Sequence, residues 1–226
     1  MKAIVFDVDH TLIDFDEDEK SAFVKTCRYF GVSPTQEDVQ AFWELSYESW
    51  TKHGLHLVQT ERIQRDFHAL YAKHVSFLFE EYEKRIPLPK GREEVFTRFI
   101  SGEGRAIEDS LSIVKELSKR YDVYIATNGL SVIQRGRTKE YLPYVREIFI
   151  SEEVGAIKPD RQFFDQMLHT IPYPPDEILM VGDSYASDMV GAKGAGIKTC
   201  HFNRRGEEHD DVDYTIRSLK ELFRIL

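Results

Sequence analysis

Two aspartates one residue apart, Asp7 and Asp9, stand at the end of the apolar run Ala3-Ile4-Val5-Phe6, with the hydroxyl of Thr11 just beyond. A run this short and apolar reads as a buried strand closed by a turn. Side chains alternate along a strand, so the two carboxylates share a face if the extended backbone continues through them. Oxygen ligands grouped in this way suit a hard cation such as magnesium, which takes one or two carboxylates together with water and substrate phosphate. A carboxylate beside such an ion can also attack phosphorus and form an aspartyl-phosphate.

Three further points along the chain carry matching chemistry. Val123-Tyr124-Ile125-Ala126 runs into Thr127-Asn128-Gly129, Lys158 stands immediately before Pro159, and Ile178-Leu179-Met180-Val181 runs into Gly182-Asp183, with Asp188 five residues on. In an open parallel sheet, ligands bind beyond the carboxyl ends of the strands, which is where these residues fall. Hydrolysis of a phosphate ester needs a nucleophile, neutralisation of charge on the transferring group and a proton for the leaving oxygen. Asp7 supplies the first and Asp9 the last. Thr127, Asn128 and Lys158 are expected to bind the phosphate oxygens, and Asp183 to complete a magnesium site with Asp7 and Asp9. Asp188 is expected to support that site from behind.

The elements that must position these residues alternate between strands and helices of ten to fifteen residues, the pattern of βαβ units and a parallel sheet. Between about residues 17 and 100 the pattern is helical throughout, so the expected architecture is α/β. A Rossmann-like core over 1–14 and 104–226 is interrupted by an all-helical insertion over 15–103. Trp43, Tyr47 and Trp50 recur at helical spacing and read as an aromatic stripe packed between helices. His53 with His56, and His68 with His74, lack a cysteine or carboxylate partner at zinc spacing and read as surface or core histidines.

At 226 residues the chain can bury a full core, and its net charge of −9 argues against a nucleic-acid polymer as partner, since phosphate backbones are bound by basic stripes. A small phosphorylated metabolite remains compatible, because a local cation and lysine can overcome the mean field. Cys27 and Cys200 are too few for a disulfide framework and read as idle thiols. No leader and no apolar run of membrane length is evident, so a cytoplasmic protein without membrane contact is expected.

Taken together, Asp7-x-Asp9-x-Thr11, Thr127, Lys158-Pro159 and Gly182-Asp183-x₄-Asp188 resemble the four motifs of the haloacid dehalogenase-like (HAD) hydrolase superfamily. The helical insertion resembles its subclass I cap. The resemblance implies a Rossmann-like core, an aspartate nucleophile, a magnesium ion and a mobile cap. Asp14-Phe15, Gln134-Arg135-Gly136-Arg137 and Ile150-Ser151-Glu152-Glu153-Val154-Gly155 are further similar to the bacterial pyrimidine 5′-nucleotidase group. One departure stands out: His10 occupies the position of a usual glycine, so a strained or altered turn is expected there. The leading expectation is a magnesium-dependent phosphomonoesterase acting on a pyrimidine nucleoside 5′-monophosphate. A sugar-phosphate phosphatase, a phosphomutase and a non-catalytic phosphate-binding protein are the alternatives.

Overall fold

Ala3–Phe6 forms strand β1, and all four of its residues are buried. In a computed structural model that describes residues 1–50, 67–204, 206 and 209–226, five more segments join it in one sheet. They are β2 (Asp122–Thr127), β3 (Ile148–Ile150), β4 (Ile178–Gly182), β5 (Lys198–Phe202) and β6 (Tyr214–Ile216). The order is β3-β2-β1-β4-β5-β6 and every pairing is parallel. β1 is central, with Val5 opposite Tyr124 on one side and Met180 on the other. This is the Rossmann-like α/β fold that the alternation predicts.

Both faces of the sheet are covered, which explains the nearly continuous apolar strands. Ile4, Phe6, Val123, Ile125, Leu179 and Val181 pack on one face with Ile113, Val114 and Leu117 of helix α5 (Ser110–Leu117). Ala3, Val5, Tyr124, Ala126 and Met180 pack on the other with Phe163, Phe164 and Met167 of helix α7 (Arg161–Thr170). The period of two therefore assigns each strand residue to a face. After the last strand residues the chain turns, and the strand ends gather on one edge.

By their contacts, residues 1–14, 106–128 and 138–226 form one unit, and residues 15–105 with 129–137 form another. The sequence pattern puts 104–105 and 129–137 with the α/β core; in the structure they group with the helical residues. The reason is visible in the second unit's core, where Leu130 and Ile133 pack with Phe23, Phe42, Phe79 and Phe96.

That helical unit contains α1 (Phe15–Tyr29), α2 (Gln36–Ser49), α3 (Phe67–Tyr82), α4 (Arg92–Ile100) and α6 (Ser131–Arg137). Its centre is aromatic, with Phe23 and Phe42 stacked at a centroid distance of 4.0 Å. Of the expected Trp43–Tyr47–Trp50 stripe, Trp50 packs against this core, with His74 at 4.2 Å. Phe42 fills it, while Trp43 and Tyr47 stack on each other with Tyr47 exposed and the Lys20 ammonium 4.7 Å from the Trp43 ring. His74 is a core histidine, bonded to Ser49 Oγ at 3.0 Å. The His53–His56 pair and the start of the helix expected from Thr60 lie outside the described residues, and of His68 only the backbone is described. Among the described residues no helix is long and apolar enough to cross a membrane.

Two buried carboxylates sit side by side in α1. Asp18 accepts from Arg137 Nε at 2.9 Å and from the Arg105 amide at 3.0 Å, so a charge partner and a backbone donor offset its burial. Glu19 accepts from the Ser46 hydroxyl at 2.7 Å, and burial pushes its carboxyl up to about 8. A folded-state value above the unfolded 4.5 favours the neutral form. Its stabilising contribution is therefore full below about 4.5 and is lost as the pH climbs through about 8. Glu19→Gln is expected to flatten this part of the profile, so that wild type loses melting temperature over that window relative to the variant. Parallel melting profiles for the two proteins would refute it.

Candidate active site

The first turn after β1 departs from an extended strand. The amides of Thr11, Leu12 and Ile13 all point at the Val8 carbonyl, at 3.3, 2.9 and 2.9 Å. The alternation runs on through Val8, which packs with Ile4 and Phe6, and the chain turns away after it. His10 lies at the crest of this turn with φ 60°, a left-handed backbone. The position calls for the conformation that glycine adopts most readily, and His10 accepts it at a cost of about 1–3 kcal/mol.

Lys158 stands at the centre of the site and is buried. Its Nζ donates to Asp7 Oδ1 at 2.6 Å, Asp188 Oδ1 at 2.7 Å and the Ala126 carbonyl at 2.8 Å. All three ammonium protons are thus directed at protein oxygens. Burial opposes the charge, yet Asp188 and Asp7 outweigh it and raise the lysine above its ordinary value. Burial likewise pushes the Asp7 carboxyl well up; Lys158 counters this, while Asp188, Asp183 and Asp9 add to it.

The lysine's loop is held by Asn128. Its Oδ1 accepts from the Lys158 amide at 2.8 Å and its Nδ2 donates to the Lys158 carbonyl at 3.0 Å. The sequence pattern gives Asn128 to the phosphate; the structure engages both ends of its amide with the Lys158 peptide. Thr127 ends β2 next to it and is buried. Thr11, also buried, links the first and fourth strand ends: its hydroxyl donates to Asp7 Oδ2 at 3.3 Å and accepts from the Asp183 amide at 3.0 Å.

Asp7, Asp183 and Asp188 each offer a carboxylate oxygen within 4.8 Å of the others. An all-oxygen donor set of this kind fits a hard divalent cation. Asp9, expected among the ligands, is not a member of the group, and Asp188, expected behind it, is. For Asp188 the reason lies in two backbone features. Gly182 lets Asp188 come close, since a Cβ on Gly182 would lie 2.2 Å from Asp188 Oδ2. A π-helical turn over Tyr185–Met189 carries Asp188 into that place. Both cysteines are buried and pushed up to about 12, so neither offers a thiolate.

A parallel Rossmann-like sheet thus carries a lysine-bridged acidic cluster at its strand ends. Residues 4–202 match the haloacid dehalogenase-like hydrolase family, and the chain belongs to it. It is 29% identical to the pyrimidine 5′-nucleotidase PynA of Streptococcus pneumoniae, over 100% of this chain and 94% of the relative. It is 28% identical to the pyrimidine 5′-nucleotidase YjjG of Escherichia coli, over 99% of this chain and 96% of the relative. Among solved structures, the magnesium-bound HAD-hydrolase YfnB of Bacillus subtilis superimposes with a TM-score of 0.81 at 25% identity, covering 100% of this chain and 98% of that one.

Proposed function

We propose that this hydrolase is a magnesium-dependent phosphomonoesterase that removes phosphate from a pyrimidine nucleoside 5′-monophosphate through an aspartyl-phosphate. The observation that carries the reaction type is the Asp7 carboxylate, fixed by Lys158 on one oxygen and Thr11 on the other, beside Asp183 and Asp188. The substrate class rests on the two nucleotidase relatives, each aligned over nearly the whole chain.

In this reading an Asp7 oxygen attacks phosphorus, forming the P–O bond as the ester P–O bond breaks. Asp9 gives its proton to the departing 5′ oxygen. It then takes a proton from water as that water attacks the phosphorus and releases inorganic phosphate from Asp7. Thr127 donates a hydrogen bond to the phosphate oxygens. Lys158 has no spare donor in this geometry, so it acts through its charge, which favours the ionised form of Asp7 and offsets the incoming dianion. Asp7, Asp183 and Asp188 would hold the magnesium ion, whose charge supplements that of Lys158 when bound.

Phosphate release from a panel of nucleotides, sugar phosphates and an aryl phosphate, with magnesium and with chelator, tests both parts. Chelator-sensitive hydrolysis highest on dUMP, UMP or dTMP is expected. A maximum on sugar phosphates would overturn the substrate and keep the mechanism, whereas chelator-insensitive release would overturn the cation.

A further inference from the structure

Asp183 is the first residue past β4, so its peptide group has left the sheet ladder, yet it is gripped from two sides. Its N–H goes to Thr11 Oγ1 at 3.0 Å, and its carbonyl oxygen stands 3.0 Å from His201 Nε2. His201 belongs to β5 and pairs in register with Gly182, which places its ring beside the turn that carries Asp183. A backbone carbonyl only accepts, so this bond puts the imidazole proton on Nε2 and leaves Nδ1 an acceptor. That Nδ1 is buried and has no hydrogen-bond partner among the described residues. An unsatisfied buried polar atom is destabilising, a penalty that an apolar ring in the same place would not incur. What the imidazole adds here is the single donor to Asp183.

The ring is also walled in. Its centroid lies 5.4 Å from that of His209, which stacks on Tyr185 at 3.7 Å, and the Tyr185 hydroxyl bonds both oxygens of Asp211. The β5 end and the segment before β6 thus form a solid support behind the Asp183–Tyr185 turn. Thr11 and His201 thus hold the peptide groups on either side of the Asp183 Cα, which together set the direction in which its carboxylate projects toward Asp7 and Asp188.

We propose that His201 is a positioning residue for the cation site, fixing the Asp183 carbonyl and through it the aim of the Asp183 carboxylate. The inference rests on the reading of Asp7, Asp183 and Asp188 as cation ligands. Outer partners of metal ligands typically change affinity about 10–100-fold. Manganese binding, measured by titration calorimetry on the intact protein, is compared for wild type, His201→Phe, His201→Leu, His201→Gln and Asp183→Asn, each checked by thermal melting.

Asp183→Asn tests the underlying reading and is expected to weaken manganese binding strongly. His201→Phe and His201→Leu are expected to weaken it about tenfold, while His201→Gln, which keeps an N–H donor, recovers most of the loss. If Asp183→Asn binds as wild type, the ligand reading fails and the role of His201 with it. If Asp183→Asn is impaired but folded His201→Phe or His201→Leu binds normally, only the role of His201 is overturned. That role is overturned equally if His201→Gln binds no better than the apolar variants.

Discussion

Asp7→Asn abolishes turnover, by at least about 10⁴-fold in kcat, the scale of loss when an essential nucleophile is removed. The amide has no carboxylate oxygen with which to attack phosphorus, and nothing else in the site takes its place. The same change leaves the fold in place. The amide oxygen still accepts from Lys158, and the amide nitrogen faces the Thr11 hydroxyl, which has a second lone pair besides the one used by Asp183. It also removes a carboxylate that burial and three neighbouring acids all disfavour. The melting temperature of the metal-free variant is therefore expected to equal or exceed that of wild type. Phosphate-release assays and melts on one preparation decide it, and turnover near the wild-type rate would refute the nucleophile.

Lys158→Met has the opposite effect on stability. Methionine keeps the lysine's unbranched stem but lacks its terminal ammonium, so Asp7 and Asp188 are left facing each other in a buried site and the Ala126 carbonyl loses its donor. Breaking a buried ion pair in this one-sided way costs on the order of 3–5 kcal/mol. The loss of fixed positive charge at the phosphoryl group lowers kcat by about 10²–10³-fold. Adding Asp188→Asn removes one of the two stranded carboxylates, so the double variant is expected to regain much of the stability and none of the activity. A single variant that melts like wild type, or a double variant that melts no better than the single, would contradict this electrostatic account.

The sheet is legible in the sequence because each strand is a short apolar run between turn residues, and two covered faces require such runs. The strand-end chemistry is legible for the same reason: Asp7, Thr127 and Asp183 each end or directly follow a buried run. What the pattern does not carry is the path of the backbone past the strand ends. A period of two carries the strand through Val8 and has no means of registering the turn onto the Val8 carbonyl that follows. Asp188 looks remote because a π-helical turn and a side-chain-free Gly182 bring it in, neither of which leaves a periodic signal. The contact of Asn128 with Lys158 leaves no local signal because it spans thirty residues of sequence. His201 does carry a signal of its own, since it sits near the carboxyl end of a strand adjacent to β4.

The helical unit is assembled from two separate stretches of chain, 15–105 and 129–137, so the polypeptide passes between the units four times. Its short stretch is no ornament. Arg137 supplies the buried partner of Asp18, and Leu130 and Ile133 help close the aromatic centre. As a module for engineering, the unit is therefore not a cassette with one pair of ends. Exchanging residues 15–105 alone for the equivalent part of a relative would graft foreign helices onto a resident latch, with an unmatched cation at the seam. A chimera that also carries residues 129–137 moves the whole inheritable piece, and substrate preference should be transplanted in those two fragments or not at all.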